Sequence, residues 1–322
     1  MAIGVDRRGW GGRYPADVGS DTAGSGARDD EGPGGDDGRW AAAVAVLDRL
    51  NSSATEPVEV RRGLSLLVRQ DDVLVRVRSR TAEPVAAREV EVARALAEAG
   101  VACTELVGGR GQPWVEEGCV VTAWRWEQTV GAASPTDVGH LARDLRERTA
   151  GTYVHDVGRL DPLTAIRNAV APAPIGDPGG DYVRRRAQEL APEWARIADR
   201  DPAGTAIVHG DLHADNVLLT DRGPLLTDLE LAGAGPTSYD AAPAVVAVER
   251  YGAPDADLEA FLAAQEHDPR DWSGFATCVA VYELWGAAWA VGVSQSRPDL
   301  VDEAAVRVRC LRDDTCEPWS LR

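Results

Sequence analysis

The stretch Ile207 to Glu230, IVHGDLHADNVLLTDRGPLLTDLE, constrains this chain more than any other. Two short apolar runs flank a polar cluster and a turn. Ile207 and Val208 lead into His209, Gly210 and Asp211, and Asn216 follows five residues after Asp211 to open the run Val217, Leu218, Leu219. Asp221, Arg222, Gly223 and Pro224 are dense in turn formers. Leu225, Leu226 and Thr227 then lead to Asp228, Leu229 and Glu230. The pattern predicts a loop, a hairpin of two short strands, and an acidic residue at the end of the second strand.

Such a hairpin lets a loop carboxylate (Asp211), an amide oxygen (Asn216) and a second carboxylate (Asp228) converge on one point. Phosphoryl transfer asks for little more. The acceptor hydroxyl must be oriented, and Mg²⁺ must be held against the phosphates. Mg²⁺ takes hard oxygen ligands, commonly one or two carboxylates plus substrate phosphates. Asp211 is therefore placed as the group that takes the hydroxyl proton, with Asn216 and Asp228 as metal ligands.

HGDLHADN followed by LLTDLE resembles the motif pair of the aminoglycoside phosphotransferase family, relatives of the protein kinases, which carry HRDxxxxN and DFG in the same roles. The resemblance covers roughly residues 55 to 290. It implies an α+β, two-lobed protein-kinase-like fold, with an antiparallel sheet and a helix in the small lobe and a larger, mostly helical C-terminal lobe. It implies a small-molecule kinase that uses ATP, or GTP, with Mg²⁺. It also implies that His209 orients the catalytic loop and is counted with Asp211 in the catalytic set. Glu230, two residues past Asp228 on the same strand face, assists the metal. Asp240 in PTSYDAAP braces the loop by hydrogen bonding.

The upstream sequence supplies a matching small lobe. Residues 1–38 are Gly- and Asp-rich without apolar period and are expected to be a disordered acidic tail; 39–126 and 127–322 are the expected lobes. RWAAAVAVLDRL has helical character. Three strands follow between Val58 and Arg78, with turns at Gly63-Leu64-Ser65 and Gln70-Asp71-Asp72. Gly63 and Ser65 are candidates for a reduced phosphate-covering loop, whose free N–H groups could receive an anion. In the third strand Leu74, Arg76 and Arg78 share one face. The kinase pattern places Lys here, but the chain contains no Lys; all 34 basic residues are Arg. Arg76 is the first candidate and Arg78 the second, since a guanidinium can hold phosphate bidentately. Glu89, on the Ala-rich helix between Pro84 and Gly100, is the expected ion-pair partner of Arg76, while Glu91 lies about 200° away and faces water. Trp124-Arg125-Trp126-Glu127 is the expected hinge. By resemblance the adenine rests on backbone at Ala123, Trp124 and Arg125, with Leu218 also on the nucleotide side. The two Trp either stack on the base or pack the lobe junction.

The remainder is largely helical. Ser134 or Thr136 caps SPTDVGHLARDLRERTAG, and DYVRRRAQELAPEWARIADR is a candidate helix pair. The stretch from Asp268 to Ser294 has Phe275, Val279, Tyr282, Gly286 and Trp289 near helical spacing. Related enzymes wall their acceptor pocket with such helices, so Glu283 and Asp271 are candidate contacts to a cationic ligand.

A net charge of -18 disfavours nucleic acid and suits a cationic acceptor. Five scattered Cys form no zinc or CxxC spacing. Free thiols, the lack of an apolar leader and the lack of 18 unbroken apolar residues point to a cytoplasmic protein without a membrane span; no obligate protein partner is evident. No long activation segment separates Asp228 from Asp240, which argues against peptide substrates. The acceptor classes open to this reading are aminoglycosides or other cationic antibiotics, macrolides, and small metabolites of the choline, homoserine or sugar-amine type. A different class, a non-catalytic nucleotide-binding regulatory module, is motivated by the missing Lys and the reduced Gly loop.

Overall fold

Alternation of apolar and polar residues sets the register of the small lobe. The computed structural model describes residues 36–50, 55–151, 157–313 and 318–320. The expected tail, save residues 36–38, lies outside these, as does Cys316. Val58–Arg62 (β1), Leu66–Gln70 (β2), Val73–Ser79 (β3), Trp114–Glu116 (β4) and Cys119–Arg125 (β5) form one antiparallel sheet in the order β1-β2-β3-β5-β4. Val75 and Val77 on β3 are fully buried, while Leu74 and Arg76 turn to the other face and are half-buried, as the period of two requires. The Val face packs with Val68, Val121 and the residues Ala43, Val46 and Leu47 of a helix, Asp36–Leu50 (α1). This helix begins before residue 39 and completes the core of the small lobe. β1 is an edge strand exposed along its whole length, so the alternation of Val58 and Val60 marks no buried face there.

Pro84 in its first turn and Gly100 at its end delimit Glu83–Ala99 (α2). Gly100 takes φ +71° and its N–H closes on the Leu96 and Ala97 carbonyls, a left-handed cap that glycine adopts without strain. The apolar stripe Val92, Ala93 and Leu96 joins the larger core of the molecule. It also packs α2 against the 3-10 turn Leu229–Leu231. Thus α2 carries Glu89 into the junction between the lobes.

The C-terminal lobe contains Pro135–Thr149 (α3), Pro162–Ala169 (α4), Pro178–Ile197 (α5), Ala242–Tyr251 (α6), Asp255–Gln265 (α7), Phe275–Ser294 (α8) and Val301–Asp313 (α9). Ser134 rather than Thr136 caps α3, in a reciprocal box with Asp137. The candidate helix pair is one helix, α5. Pro192 sits inside it, but buried Leu190 and Trp194, four residues apart, keep its apolar face continuous. Among the described residues α8 alone is long and apolar enough to cross a membrane. Here it is the central core helix, packed against α4, α5, α6 and α9.

Short strands frame the opening stretch. Thr205–Val208 (β7) pairs with Gly233–Pro236 (β10), while Gly131–Ala132 (β6), Val217–Thr220 (β8) and Gly223–Leu226 (β9) form a second sheet ordered β6-β8-β9. Thr220 faces Gly223 across the β8–β9 turn. The expected hairpin is present, but its second strand stops at Leu226, two residues before Asp228.

Candidate active site

The loop between β7 and β8 is held from below by Asp240. Its two carboxylate oxygens accept the backbone N–H groups of His209 at 2.8 Å and Gly210 at 2.9 Å. Asp240 is buried, and burial lifts its pKa above the usual carboxylate value against the pull of His209 and the two amides. His209 is 1% exposed. Its Nε2 donates to the Thr227 carbonyl at 2.8 Å, which leaves Nδ1 to accept the Asp211 N–H at 3.3 Å. The imidazole thus ties the loop to the end of the hairpin. Counting it with the catalytic groups is corrected by this burial, because both ring nitrogens are spent on backbone. Gly210 takes φ +83°, and a Cβ there would lie 2.8 Å from the Leu231 carbonyl oxygen. Only glycine fits that turn without displacing the loop.

Asp211 emerges from this support with its side chain 23% exposed. Tyr282 on α8 donates its phenol to Oδ1 at 2.6 Å, and Asn216 Nδ2 donates to Oδ2 at 3.2 Å and to the Asp211 carbonyl at 2.9 Å. His213 Nε2 stands 3.6 Å from Oδ2. Burial works to raise the Asp211 carboxyl, but His213 and the Tyr282 phenol outweigh it and hold the group below the usual carboxylate range. The base is therefore ionised. His213 responds in the opposite sense: burial lowers it, and Asp211 raises it above the ordinary imidazole value. Burial, with the charge of Asp211, pushes Asp215 up to about 6. His213 stands inside the quoted motif but was not singled out. Tyr282 lies 71 residues from Asp211. Its one sequence signal was a hydroxyl within an apolar helical stripe.

On the opposite wall, Asp228 sits in the left-handed region at φ +58°, conformational strain of the kind that collects at functional sites. Arg76 Nη1 is 2.9 Å from Asp228 Oδ1 and 3.1 Å from Glu89 Oε1. Arg78 Nη1 is 2.7 Å from Glu89 Oε2. Both guanidiniums reach Glu230 Oε2 at 3.3 Å. Both candidate arginines thus enter the cluster, and Glu89, 3% exposed at its side chain, is shared between them. Glu230 is not on a strand face shared with Asp228. The residues after Asp228 form a 3-10 turn, which brings Glu230 onto the two arginines, with Arg76 bridging it to Asp228. Three carboxylates face two guanidiniums. Burial and the charge of Asp228 push Glu230 up to about 7. Burial also works to raise Asp228, but Arg76 and Arg78 keep it below its ordinary value.

The phosphate-loop candidates fare differently. Ser65 is buried and its Oγ accepts from Arg76 Nε at 3.4 Å. Gly63 spends its N–H on the Ser65 carbonyl at 3.1 Å, which corrects its expected role as a free donor to phosphate. The hinge contacts are corrected too. Ala123 N–H donates to Gln112 Oε1 at 2.8 Å, and its carbonyl accepts from Val107 at 3.1 Å. Arg125 N–H donates to Glu105 at 2.7 Å, and Trp124 pairs with Leu74 on one side and Leu106 on the other. Strand pairing thus uses both backbone groups of Ala123 and the Arg125 N–H. Among the described residues the first N–H groups past β5 without an internal acceptor are those of Glu127, Gln128 and Thr129. Trp124 is buried with its indole N–H on Thr122 at 3.0 Å, and Trp126 packs under Arg69 at 4.6 Å, so both Trp fill the junction. Leu218 is half-buried on β8, opposite Ala132 and Leu225.

Neither acceptor-side acid is available as expected. Glu283 is buried in an ion pair with Arg250, because its helix position points into the α6–α8 contact. Asp271 is exposed at the end of the 3-10 turn Pro269–Asp271, with no contact that brings it to Asp211. For magnesium the donor set fits. Asn216 turns Nδ2 to Asp211 and to His213 Nε2, 3.1 Å away, and among the described residues has no donor on Oδ1. Asp228 is 39% exposed at its side chain. Among the described residues no group of three His, Cys, Asp or Glu could hold a metal by itself, so an ion here would share its coordination with phosphate oxygens.

The profile of the phosphotransferase enzyme family, APH, matches residues 60–277. No curated protein matches the chain. A choline/ethanolamine kinase family protein from Mesorhizobium loti superposes with a TM-score of 0.56 at 21% identity, covering 86% of this chain and 93% of that one. An aminoglycoside-3'-phosphotransferase of type VIII gives 0.57 at 21% identity, covering 77% and 98%. An amicoumacin kinase in complex with AMP-PNP, Ca²⁺ and Ami gives 0.64 at 11% identity, covering 88% and 97%. At such identities the match is one of fold: the expected two-lobed, protein-kinase-like α+β architecture.

Proposed function

The chain belongs to the phosphotransferase enzyme family, and on that premise we propose that it passes the γ-phosphate of ATP, or GTP, to a hydroxyl of a small cationic molecule. The observation that carries the reading is the opposition, across one cleft, of an ionised Asp211 and the Arg76–Arg78–Asp228 cluster. Asp211 accepts the proton of the acceptor hydroxyl as its oxygen attacks the γ-phosphorus. The bond from phosphorus to the β–γ bridging oxygen breaks and the nucleoside diphosphate leaves. Arg76 and Arg78 offer positive charge to the phosphates, with Glu89 fixing their direction. Asn216 and Asp228 would hold Mg²⁺, which supplies neutralisation of phosphate charge when bound. The backbone at Glu127 to Thr129 and the side chain of Leu218 are the proposed adenine contacts. A formal charge of -18 supports a cationic acceptor and a cytoplasmic setting is proposed with it.

The test is an acceptor screen by mass spectrometry with Mg²⁺ and ATP or GTP, over aminoglycosides, macrolides, choline, homoserine and amino sugars. One class is expected to gain a phosphate mass. Asp211→Asn should slow that gain by about 10²–10⁴-fold, and near-full transfer by this variant would remove Asp211 from the base role.

A further inference from the structure

The catalytic loop is braced twice from one turn. Asp240 holds the backbone, accepting the His209 and Gly210 amides. Its neighbour Tyr239 packs edge-on against Tyr282, with ring centroids 6.4 Å apart and an interplanar angle of 80°. Trp194 of α5 meets the other side of Tyr239 at 5.3 Å and 74°. Tyr239 is 1% and Tyr282 5% exposed, so this aromatic file has no room to swing. Its last member donates a hydrogen bond to Asp211 Oδ1 at 2.6 Å.

The terminal torsion of an aspartate is broad and nearly two-fold. A carboxylate held through one oxygen can therefore rock about its own axis. Asn216 holds Oδ2 from the loop at 3.2 Å, with His213 Nε2 3.6 Å from the same oxygen, and Tyr282 holds Oδ1 from α8. Together they fix the plane of the carboxylate from opposite sides. Oδ1, with Tyr282 as its one partner among the described residues, keeps a second lone pair, so an acceptor hydroxyl can still be received by a carboxylate whose direction is set in advance.

We propose that Tyr282 is a positioning residue for phosphoryl transfer: its phenol locks the plane of the Asp211 carboxylate, and the Trp194–Tyr239–Tyr282 file transmits the rigidity of the helical core to the base. The inference rests on the reading of Asp211 as that base. It ties the geometry of the base to α8, whose turns beyond Tyr282 carry half-buried Trp285, Gly286 and Trp289. Proximity effects of this type are steep, and a misplacement near 1 Å can cost about 10²-fold in rate.

Acceptor-free turnover of Mg·ATP to ADP, with water as the acceptor, tests this without knowledge of the natural substrate. Tyr282→Phe keeps the ring stack and removes only the hydroxyl. Its kcat should fall about 10–100-fold while KM for ATP stays within about twofold and the variant still unfolds in a single cooperative transition. A kcat within twofold of the parent, with Asp211→Asn impaired, would overturn the proposal alone. Parent-like turnover by Asp211→Asn would remove the base reading and the proposal with it. A second measurement covers a Phe variant that folds poorly. A difluorotyrosine placed only at position 282 strengthens the donor without altering packing. The proposal expects kcat to change with phenol acidity, and an unchanged kcat would sink it.

Discussion

Glu283 and Arg250 form a nearly buried ion pair, with side chains 11% and 10% exposed. Sequence alone left the acid of this pair as a candidate ligand contact. Removing one partner strands the other charge in a dry setting, so Glu283→Ala should destabilise the protein by about 3–5 kcal/mol in urea unfolding. Arg250→Met in the same chain should recover part of that loss. An effect confined to the acceptor KM, with stability intact, would return Glu283 to the pocket wall. His267 offers a second test at this scale. Its Nε2 lies 3.2 Å from Ser238 Oγ, and burial lowers its pKa below the ordinary 6.5 against the pull of Asp201. The unfolded chain then binds more protons than the folded one just below about 6.5. This contribution to stability is present above the unfolded pKa and is lost as pH falls through the folded one. His267→Gln should flatten that part of the stability-versus-pH curve, compared with the parent by thermal melts from pH 7.5 to 5.

The loop from β7 to β8 behaves as one element because its backbone is tied at each end. Gly210 carries φ +83° and faces the Leu231 carbonyl and Leu160 at close range. Gly210→Ala should therefore shift Asp211 off its partners and cost at least about 10-fold in kcat, with a stability loss of about 1–3 kcal/mol. A fully active, equally stable Ala variant would contradict this account of the turn. The hairpin, α2 and α3 were legible because turn formers, Pro84, Gly100 and Ser134 punctuate clear periods. The strand β1 was legible as well, but its exposure at the sheet edge and the unbroken course of α5 were not. Alternation cannot tell an edge strand in water from one with a buried face. A proline costs a helix about one hydrogen bond and a clash, which tertiary burial of Leu190 and Trp194 can override.

Across the whole molecule, charge joins the lobes. Arg76 and Arg78 on β3 meet Asp228 and Glu230 of the C-terminal lobe, so a nucleotide entering the cleft competes with an ion-pair cluster already in place. Mg·ATP should raise the unfolding midpoint more than ATP with EDTA, and by about 2.7 kcal/mol of added stability at a hundred times its Kd. Arg76→Ala should remove most of that nucleotide-dependent rise. A rise that ignores both Mg²⁺ and Arg76 would place the nucleotide elsewhere.

The spacing of Asp211, Asn216 and Asp228, with Glu89 and the arginine-bearing strand, was determined by sequence alone. These groups lie on local elements whose period and turns dictate which way side chains point. Tertiary structure alone decided which of them are free to act. It showed that both arginines share Glu89, and that strand pairing consumes the backbone of Ala123 and the Arg125 N–H. It also turned Glu283 inward and brought Tyr282 to Asp211. Those outcomes depend on contacts between residues far apart in the chain. A pattern read along one strand or helix carries the direction of a side chain, but not what packing sets in front of it.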